Sequence, residues 1–282
     1  MRIARAVFLA WIGAAGLVAV WAAAGAILGA KANAAVIDFE PDAEIIGAFF
    51  PQRADLAAMR KRGFFATGLR PVYPPGATCF EADSLFATTT RGNGSRRSPR
   101  FYVGYHGGLD IPAPEGTPIV AVADGAVVHL GEGDSIGGIG VVLQHAPEET
   151  GLPVWTYTEY KHLREMPGLK IGQKVKMGEV IATVGKTGTV GTPAYGAAGH
   201  AHLHLTAWYG SGDRYRSGRM LIPLDGYWMD PLALFRGPPV ASIEIEKLPE
   251  AAKKVPLPYK GADGRIVPSD AKVVWPLVCE TR

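Results

Sequence analysis

Cysteine is scarce in this chain. Only Cys79 and Cys279 occur among 282 residues, and neither sits in a CxxC pair. Closed structural zinc sites draw mostly on cysteine, so a site of that kind is disfavoured. The two thiols either pair in an oxidising compartment, closing a loop of 200 residues (279 − 79), or stay apart as two buried thiols, and sequence alone leaves both open. Charge of one sign is lacking as well. Lys and Arg number 29 against 26 Asp and Glu, a net of +3 with no extended basic stripe. That argues against nucleic acid as a partner and suits no more than mild adhesion to an anionic polymer or surface. Solenoid-type repeats are absent, and no helical period runs through residues 101–235.

Glycine and proline are abundant, 36 and 22 residues, which favours many short strands joined by turns. One long apolar run exists, Ala6–Ala30, preceded by Arg2 and Arg5 and ending in Ala30-Lys-Ala32 and Ala32-Asn-Ala34, both of the small-x-small form of a leader cleavage site. A helix of that length is about 37 Å long, enough to span a bilayer. The segment 1–35 is therefore expected to be a signal peptide or an N-terminal transmembrane anchor, with the positive end left in the cytoplasm and the remainder exported to the periplasm or cell envelope.

Residues 36–100 read as a mixed N-terminal region. It holds one amphipathic helix over Arg53–Arg62 and a Gly/Arg-rich linker, Arg91–Pro99, whose arginines could touch an anionic substrate but read first as a solvated loop. Residues 101–236 read as an all-β domain. Thr117–Ala123, the turn Asp124-Gly125 and Ala126–Leu130 suggest a hairpin, and Val141–Gln144, Trp155–Tyr160, Val180–Val184 and His202–Trp208 suggest further strands. Residues 237–282, rich in Pro, Lys and Glu, read as a C-terminal extension that docks through Val273–Trp275. Gly131-Glu-Gly133 and Gly185-Lys-Thr-Gly188 have the flavour of nucleotide loops but lack the full spacing, so both read as β-turns.

The chemistry concentrates in three clusters: His106-Gly-Gly-Leu-Asp110, Tyr160-Lys-His162-Leu163 and His202-Leu-His204. In a strand, residues two apart share a face, so His202 and His204 point one way while Leu203 and Leu205 enter the core. The glycines after His106 argue for a turn entering a strand and leave room for close approach to the backbone. A hydrolytic zinc needs three protein ligands and an open position. His106, Asp110 and either His202 or His204 meet that need. The other histidine of the pair, with His162, suits general-base work and stabilisation of developing negative charge. His129 and His145 read as structural, and His200 as a lead into the strand.

These clusters resemble the motifs of the lysostaphin-type (LytM-like) zinc endopeptidases. His106-Gly-Gly-Leu-Asp110-Ile with Pro114-Glu-Gly116-Thr-Pro118 looks like their first motif, and Tyr160-Lys-His162-Leu163 like the middle one. Gly172–Ile181 with Gly185-Lys-Thr-Gly188 matches the run before the last motif, and His202-Leu-His204-Leu matches the last motif itself. An aromatic and an acid usually follow that motif; Leu205 and Thr206 stand there, which bears on support around the site. The resemblance covers roughly residues 101–210. It implies a small antiparallel β-sheet core with a groove, one zinc ion on His106, Asp110 and His204, catalytic His162 and His202, and peptidoglycan cross-links as substrate. It also leaves a rival of a different class, a non-catalytic or autoinhibited zinc-binding module that regulates other wall hydrolases through cell-division or wall-synthesis partners. Under that rival, residues 36–100 would shut the site, with Asn93 as a possible extra ligand. A biotinyl- or lipoyl-type carrier fits poorly, since Val175 precedes Lys176 where such carriers need Met and the histidines would go unexplained.

Overall fold

The structure is a computed structural model that describes residues 36–132, 137–189 and 200–281. The expected membrane-targeting helix of residues 1–35 lies outside the described residues. Among the described residues no helix is long and apolar enough to cross a membrane.

In chain order the described elements are α1 (Ala43–Phe49), α2 (Leu56–Lys61), β1 (Arg70–Val72), β2 (Ala77–Thr78), β3 (Leu109–Pro112), β4 (Pro118–Val120), β5 (Gly125–Gly131), β6 (Gly140–His145), α3 (Pro147–Thr150), β7 (Trp155–Lys161), β8 (Lys174–Val175) and β9 (Val180–Thr183). They continue with β10 (His202–Gly210), β11 (Tyr215–Ser217), β12 (Leu221–Pro223), β13 (Tyr227–Met229), α4 (Leu232–Arg236), α5 (Ser242–Ile245), β14 (Lys254–Pro256), β15 (Tyr259–Lys260), β16 (Ile266–Val267) and β17 (Glu280–Thr281). The centre is a seven-stranded antiparallel sheet in the order β13-β10-β7-β6-β5-β8, with β3 also paired to β10. The all-β expectation for the core holds, with short helices around it.

The alternating pattern of β10 sets the two faces of this sheet. Leu203 and Leu205, both fully buried, join Ile111, Leu143, Trp275 and Leu277 in one core. Trp208 belongs to the opposite core with Phe49, Phe64, Phe86 and Trp228. By strand alternation Thr206, His204 and His202 continue the Trp208 face. Along β10 an aromatic core thus gives way to polar side chains, and the site lies where the packing ends.

Two local expectations need correction. Thr117–Ala123 and Ala126–Leu130 do not form a hairpin: β4 pairs with β9, while β5 pairs with β6 and β8. Residues 121–124 form a corner between two sheets instead. The Asp124 carboxylate bonds Met177 N–H and the Lys176 ammonium, both at 2.8 Å, and the Tyr160 hydroxyl accepts from Val122 N–H, so this stretch is tied to other strands and not folded back on itself. The helix expected over Arg53–Arg62 is broken. Asp55 takes an extended conformation and its carboxylate caps Ala58 N–H at 2.9 Å, so α2 begins only at Leu56 after a 3-10 turn at Pro51–Arg53. Helix α1 was not anticipated, although Asp42 caps it in the same manner at Ile45 N–H.

The described residues form one compact unit. Its two ends pair with each other: β1 runs parallel to β14, β2 antiparallel to β17, and Cys79 is joined to Cys279 in a disulfide with Cα atoms 4.3 Å apart. The tail docks as expected. Val274 N–H bonds Val122 O at 2.8 Å, and Val120 N–H bonds Pro276 O at the same distance. Val274, Trp275 and Leu277 are fully buried there. Each such side chain contributes about 1.5–3 kcal/mol of apolar burial.

Candidate functional site

Register places the site. In the β3–β10 pair His204 stands directly opposite Asp110, and Leu205 opposite Leu109. On the other edge of β10, His204 faces Lys161 of β7. Directly opposed residues in an antiparallel pair have Cβ atoms roughly 4.5–5.5 Å apart, close enough to share a small ligand. His106, just ahead of β3, brings its Nε2 to 3.0 Å from Asp110 Oδ1 and 3.2 Å from His204 Nδ1. His204 Nδ1 is 2.7 Å from the same Oδ1. One nitrogen of each of two imidazoles and one carboxylate oxygen thus converge on a single point, and these three residues could together hold a metal ion.

The remaining ring atoms are engaged so that the converging ones are available. His106 Nδ1 donates to Leu85 O at 3.0 Å, which leaves the Nε2 lone pair facing the centre. His204 Nε2 lies 3.1 Å from Thr206 Oγ1, which leaves Nδ1 facing it. Thr206, standing where the family's acid is expected, therefore supplies the bond that orients His204. Asp110 Oδ2, the oxygen not shared with the imidazoles, accepts from Arg97 Nη2 at 2.9 Å. The donor set of two imidazoles and a carboxylate, closely spaced with partners behind each, fits a tetrahedral zinc with metal bonds of about 2.0–2.2 Å.

His162 and His202 form a second pair beside it, ring centres 4.7 Å apart, with His162 5.7 Å from His204. His162 follows the last residue of β7 with φ at 62°, in the left-handed region. A non-glycine residue held there costs on the order of 1–3 kcal/mol, a strain typical of functional positions. Its Nδ1 donates to Thr187 O at 2.7 Å. His202 Nδ1 donates to His200 O at 2.8 Å, and its Nε2 lies 3.5 Å from Asp110 Oδ1.

Burial and neighbouring charge push these groups apart. Burial, then the charges of His202 and His204, hold His162 well below the usual imidazole value, and burial pushes His204 down to about 3. Burial also opposes charge on His202, but the hydrogen bond and charge of Asp110 outweigh it and raise that imidazole. Burial opposes ionisation of Asp110 too, yet the charge of His106 and the hydrogen bonds of His106, His202 and His204 hold it well below the carboxylate range.

A groove of about 1360 Å³ opens over this centre, with aromatic residues Phe50, Phe101, Tyr102 and Tyr105 in its lining. Sequence reasoning missed Arg97, which belongs to a loop expected to be solvated but has a side chain only 16% exposed. Nothing in the sequence singles it out from its neighbours. Asn93 lines the groove, but its Oδ1 turns back to accept from Ser95 N–H at 3.0 Å. His145 is fully buried between Asp124 O and Thr158 Oγ1, as its structural reading implied. His129 bonds Ser217 Oγ at 3.0 Å and also lines the groove. His200, read as a lead into β10, supplies the carbonyl that orients His202.

An antiparallel sheet thus gathers at one end two histidines and a carboxylate that could hold a metal ion, with two further imidazoles beside them under a groove. Residues 104–215 match the model of Peptidase family M23, and the chain carries a domain of that family. It is similar to the cell division protein DipM of Caulobacter vibrioides, 33% identical over 143 residues that make up 51% of this chain and 19% of the relative. It is also similar to the peptidoglycan DD-endopeptidase ShyC of Vibrio cholerae, 38% identical over 100 residues, 35% of this chain and 19% of that one. The chain thus spans about a fifth of the length of these curated relatives. Among solved structures, the catalytic domain of lysostaphin from Staphylococcus simulans aligns at 24% identity over 47% of this chain and 83% of that chain, with a TM-score of 0.34.

Proposed function

We propose that this chain is a zinc-dependent endopeptidase that hydrolyses peptide cross-links of bacterial peptidoglycan. The observation that carries the reading is the convergence of His106 Nε2, Asp110 Oδ1 and His204 Nδ1 at 2.7–3.2 Å, with every other polar atom of those side chains engaged elsewhere. These three residues are the proposed metal ligands. A zinc ion held there would supply Lewis acidity for the attack of water on a peptide carbonyl. His162 is neutral near neutral pH, its Nδ1 proton is committed to Thr187 O, and its Nε2 is left to accept a proton from the attacking water. His202, whose imidazole is raised by Asp110, stands beside His162 as the group to donate a hydrogen bond toward developing negative charge or the leaving amine. Two titratable groups pushed in opposite directions side by side are the mark of an acid–base pair.

In this reading residues 101–236 are the endopeptidase domain, 36–100 and 237–282 its flanking regions, and 1–35 the signal peptide or anchor that takes it to the periplasm or cell envelope. Arg2, Arg5 and the apolar run Ala6–Ala30 support export. The DD-endopeptidase relative supports the substrate, and the cell-division relative supports partners in division or wall synthesis. Mass analysis of muropeptides after digestion of purified peptidoglycan tests the reading. Shortened cross-linked products are expected with zinc present, and none after chelation or with His204→Ala. Zinc binding without any cleavage would favour the regulatory, non-catalytic reading instead.

A further inference from the structure

Two of the three groups aimed at the metal position are held by residues that precede the family domain. Segment 83–88 lies alongside β3 and the turn before it. Asp83 N–H donates to Asp110 O at 3.1 Å and Asp110 N–H to Ser84 O at 2.9 Å; Ala87 N–H donates to His106 O and His106 N–H to Thr88 O, each at 2.9 Å. Side-chain bonds follow the backbone ones. Leu85 O accepts from His106 Nδ1, and Ser84 Oγ lies 3.4 Å from that nitrogen. Arg97 Nη2 donates both to Ser84 Oγ at 2.5 Å and to Asp110 Oδ2 at 2.9 Å. Ser84 is buried, and Arg97 is largely so.

The choice of oxygen decides what Arg97 does. Asp110 Oδ1 is the atom shared with His106, His202 and His204, whereas the guanidinium takes Oδ2. Arg97 therefore does not contend for the metal-facing atom. It occupies the second oxygen, which a carboxylate would otherwise swing round to bind a metal through both, and a charge-assisted bond in a half-buried setting holds that orientation firmly. We propose that Arg97, with Ser84 and the Leu85 carbonyl, forms a positioning set that fixes Asp110 as a single-oxygen ligand and His106 as an Nε2 ligand. The metal centre is then built jointly by the family domain and the segment before it, so residues 84–97 support the site and do not act as a detachable lid. This rests on the zinc reading above.

The test uses the full chain and zinc itself, with affinity read by competition against a chromogenic chelator. Arg97→Met keeps the stem and its packing but removes the donors. It is expected to weaken zinc binding about 10–100-fold, the usual effect of losing a partner behind a metal ligand. Arg97→Lys, which restores a donor to Oδ2, is expected to recover part of that loss. Ser84→Ala is expected to weaken zinc in the same direction while leaving Arg97 in place. In the cobalt(II)-substituted protein the visible spectrum, which reports coordination number, is expected to change in Arg97→Met. A zinc affinity for Arg97→Met within about threefold of the parent would overturn the proposal. A tighter affinity would also overturn it, by showing that the guanidinium competes with the metal for Asp110. If the parent chain binds no zinc, or if His204→Ala binds it equally well, the zinc reading fails and takes this inference with it.

Discussion

Gly108 offers a sharp test of how the site is built. A Cβ placed there would lie 2.4 Å from the Leu205 carbonyl oxygen, 2.7 Å from His204 Nε2 and 3.0 Å from His204 Cε1. Real Cβ atoms essentially never come within 3.0 Å of such neighbours, so the backbone at Gly108 and β10 must part by about 0.6 Å, and the imidazole must also give unless that movement clears it. The nearest of these atoms is backbone in the paired strand, which cannot swing aside as a side chain can. Overpacking of this kind costs about 1–3 kcal/mol of stability. Displacement by a fraction of an ångström to one ångström next to the reacting groups can lower rate by as much as about 100-fold. Gly107 is the matched control. Its Cβ would meet Tyr102 and Trp228 ring atoms at 3.2–3.4 Å, a deficit of a few tenths of an ångström against side chains that yield. Urea denaturation and zinc titration of Gly108→Ala and Gly107→Ala, measured together, are expected to show the larger loss of both stability and zinc affinity at Gly108. Equal losses in the two variants would refute the claim that the β3–β10 approach is what seats His204.

Two further outcomes follow from groups away from the groove. The Cys79–Cys279 disulfide spans 200 residues. Its reduction is expected to cost on the order of 5 kcal/mol in the chain-entropy account, read as a lower urea midpoint with reductant, and alkylation of two thiols in unreduced protein would disprove the bond. Asp230 is buried against Thr67 and Leu232 N–H, and burial pushes its carboxyl up to about 6 from 3.8. The native state therefore holds this proton more tightly than the unfolded chain. Stability should fall by about 3 kcal/mol as pH rises from about 4 to 6, then level off. Asp230→Asn keeps the acceptor for Leu232 N–H and is expected to be more stable than the parent at pH 7.5, with that slope removed. An unchanged slope in the variant would show that Asp230 is not its source.

How much was legible in advance differs by element. The strand positions of β7 and β10 follow from the alternation of Trp155–Tyr160 and His202–Trp208, and that of β6 from its short apolar run, all of them local properties of the chain. The corner at residues 121–124 looked like a hairpin for the same reason: Asp124-Gly125 is a good turn signal locally, and only the competing bonds to Met177 and Lys176 show that the chain crosses between sheets there. Helix α2 was shortened by the cap at Asp55, a choice between two local conformations that the apolar spacing does not register.

The site divides along the same line. Sequence by itself determined that His202 and His204 share a face, that Leu203 and Leu205 enter the core, and that His106, Asp110 and His162 belong with them, since periodicity, glycine spacing and the ordered motifs are all written along the chain. Alternation alone left open which histidine of the pair would bind a metal, because both satisfy it, and the expectation of His204 rested on the family resemblance. The tertiary structure placed His204 opposite Asp110 through the register of β3 on β10. Only the tertiary structure brought in Arg97, Ser84 and Leu85 O, and only it joined Cys79 to Cys279. Those contacts link residues far apart in the chain. Such distances are set by how strands pair and cores close, and no local pattern in the amino-acid sequence carries them.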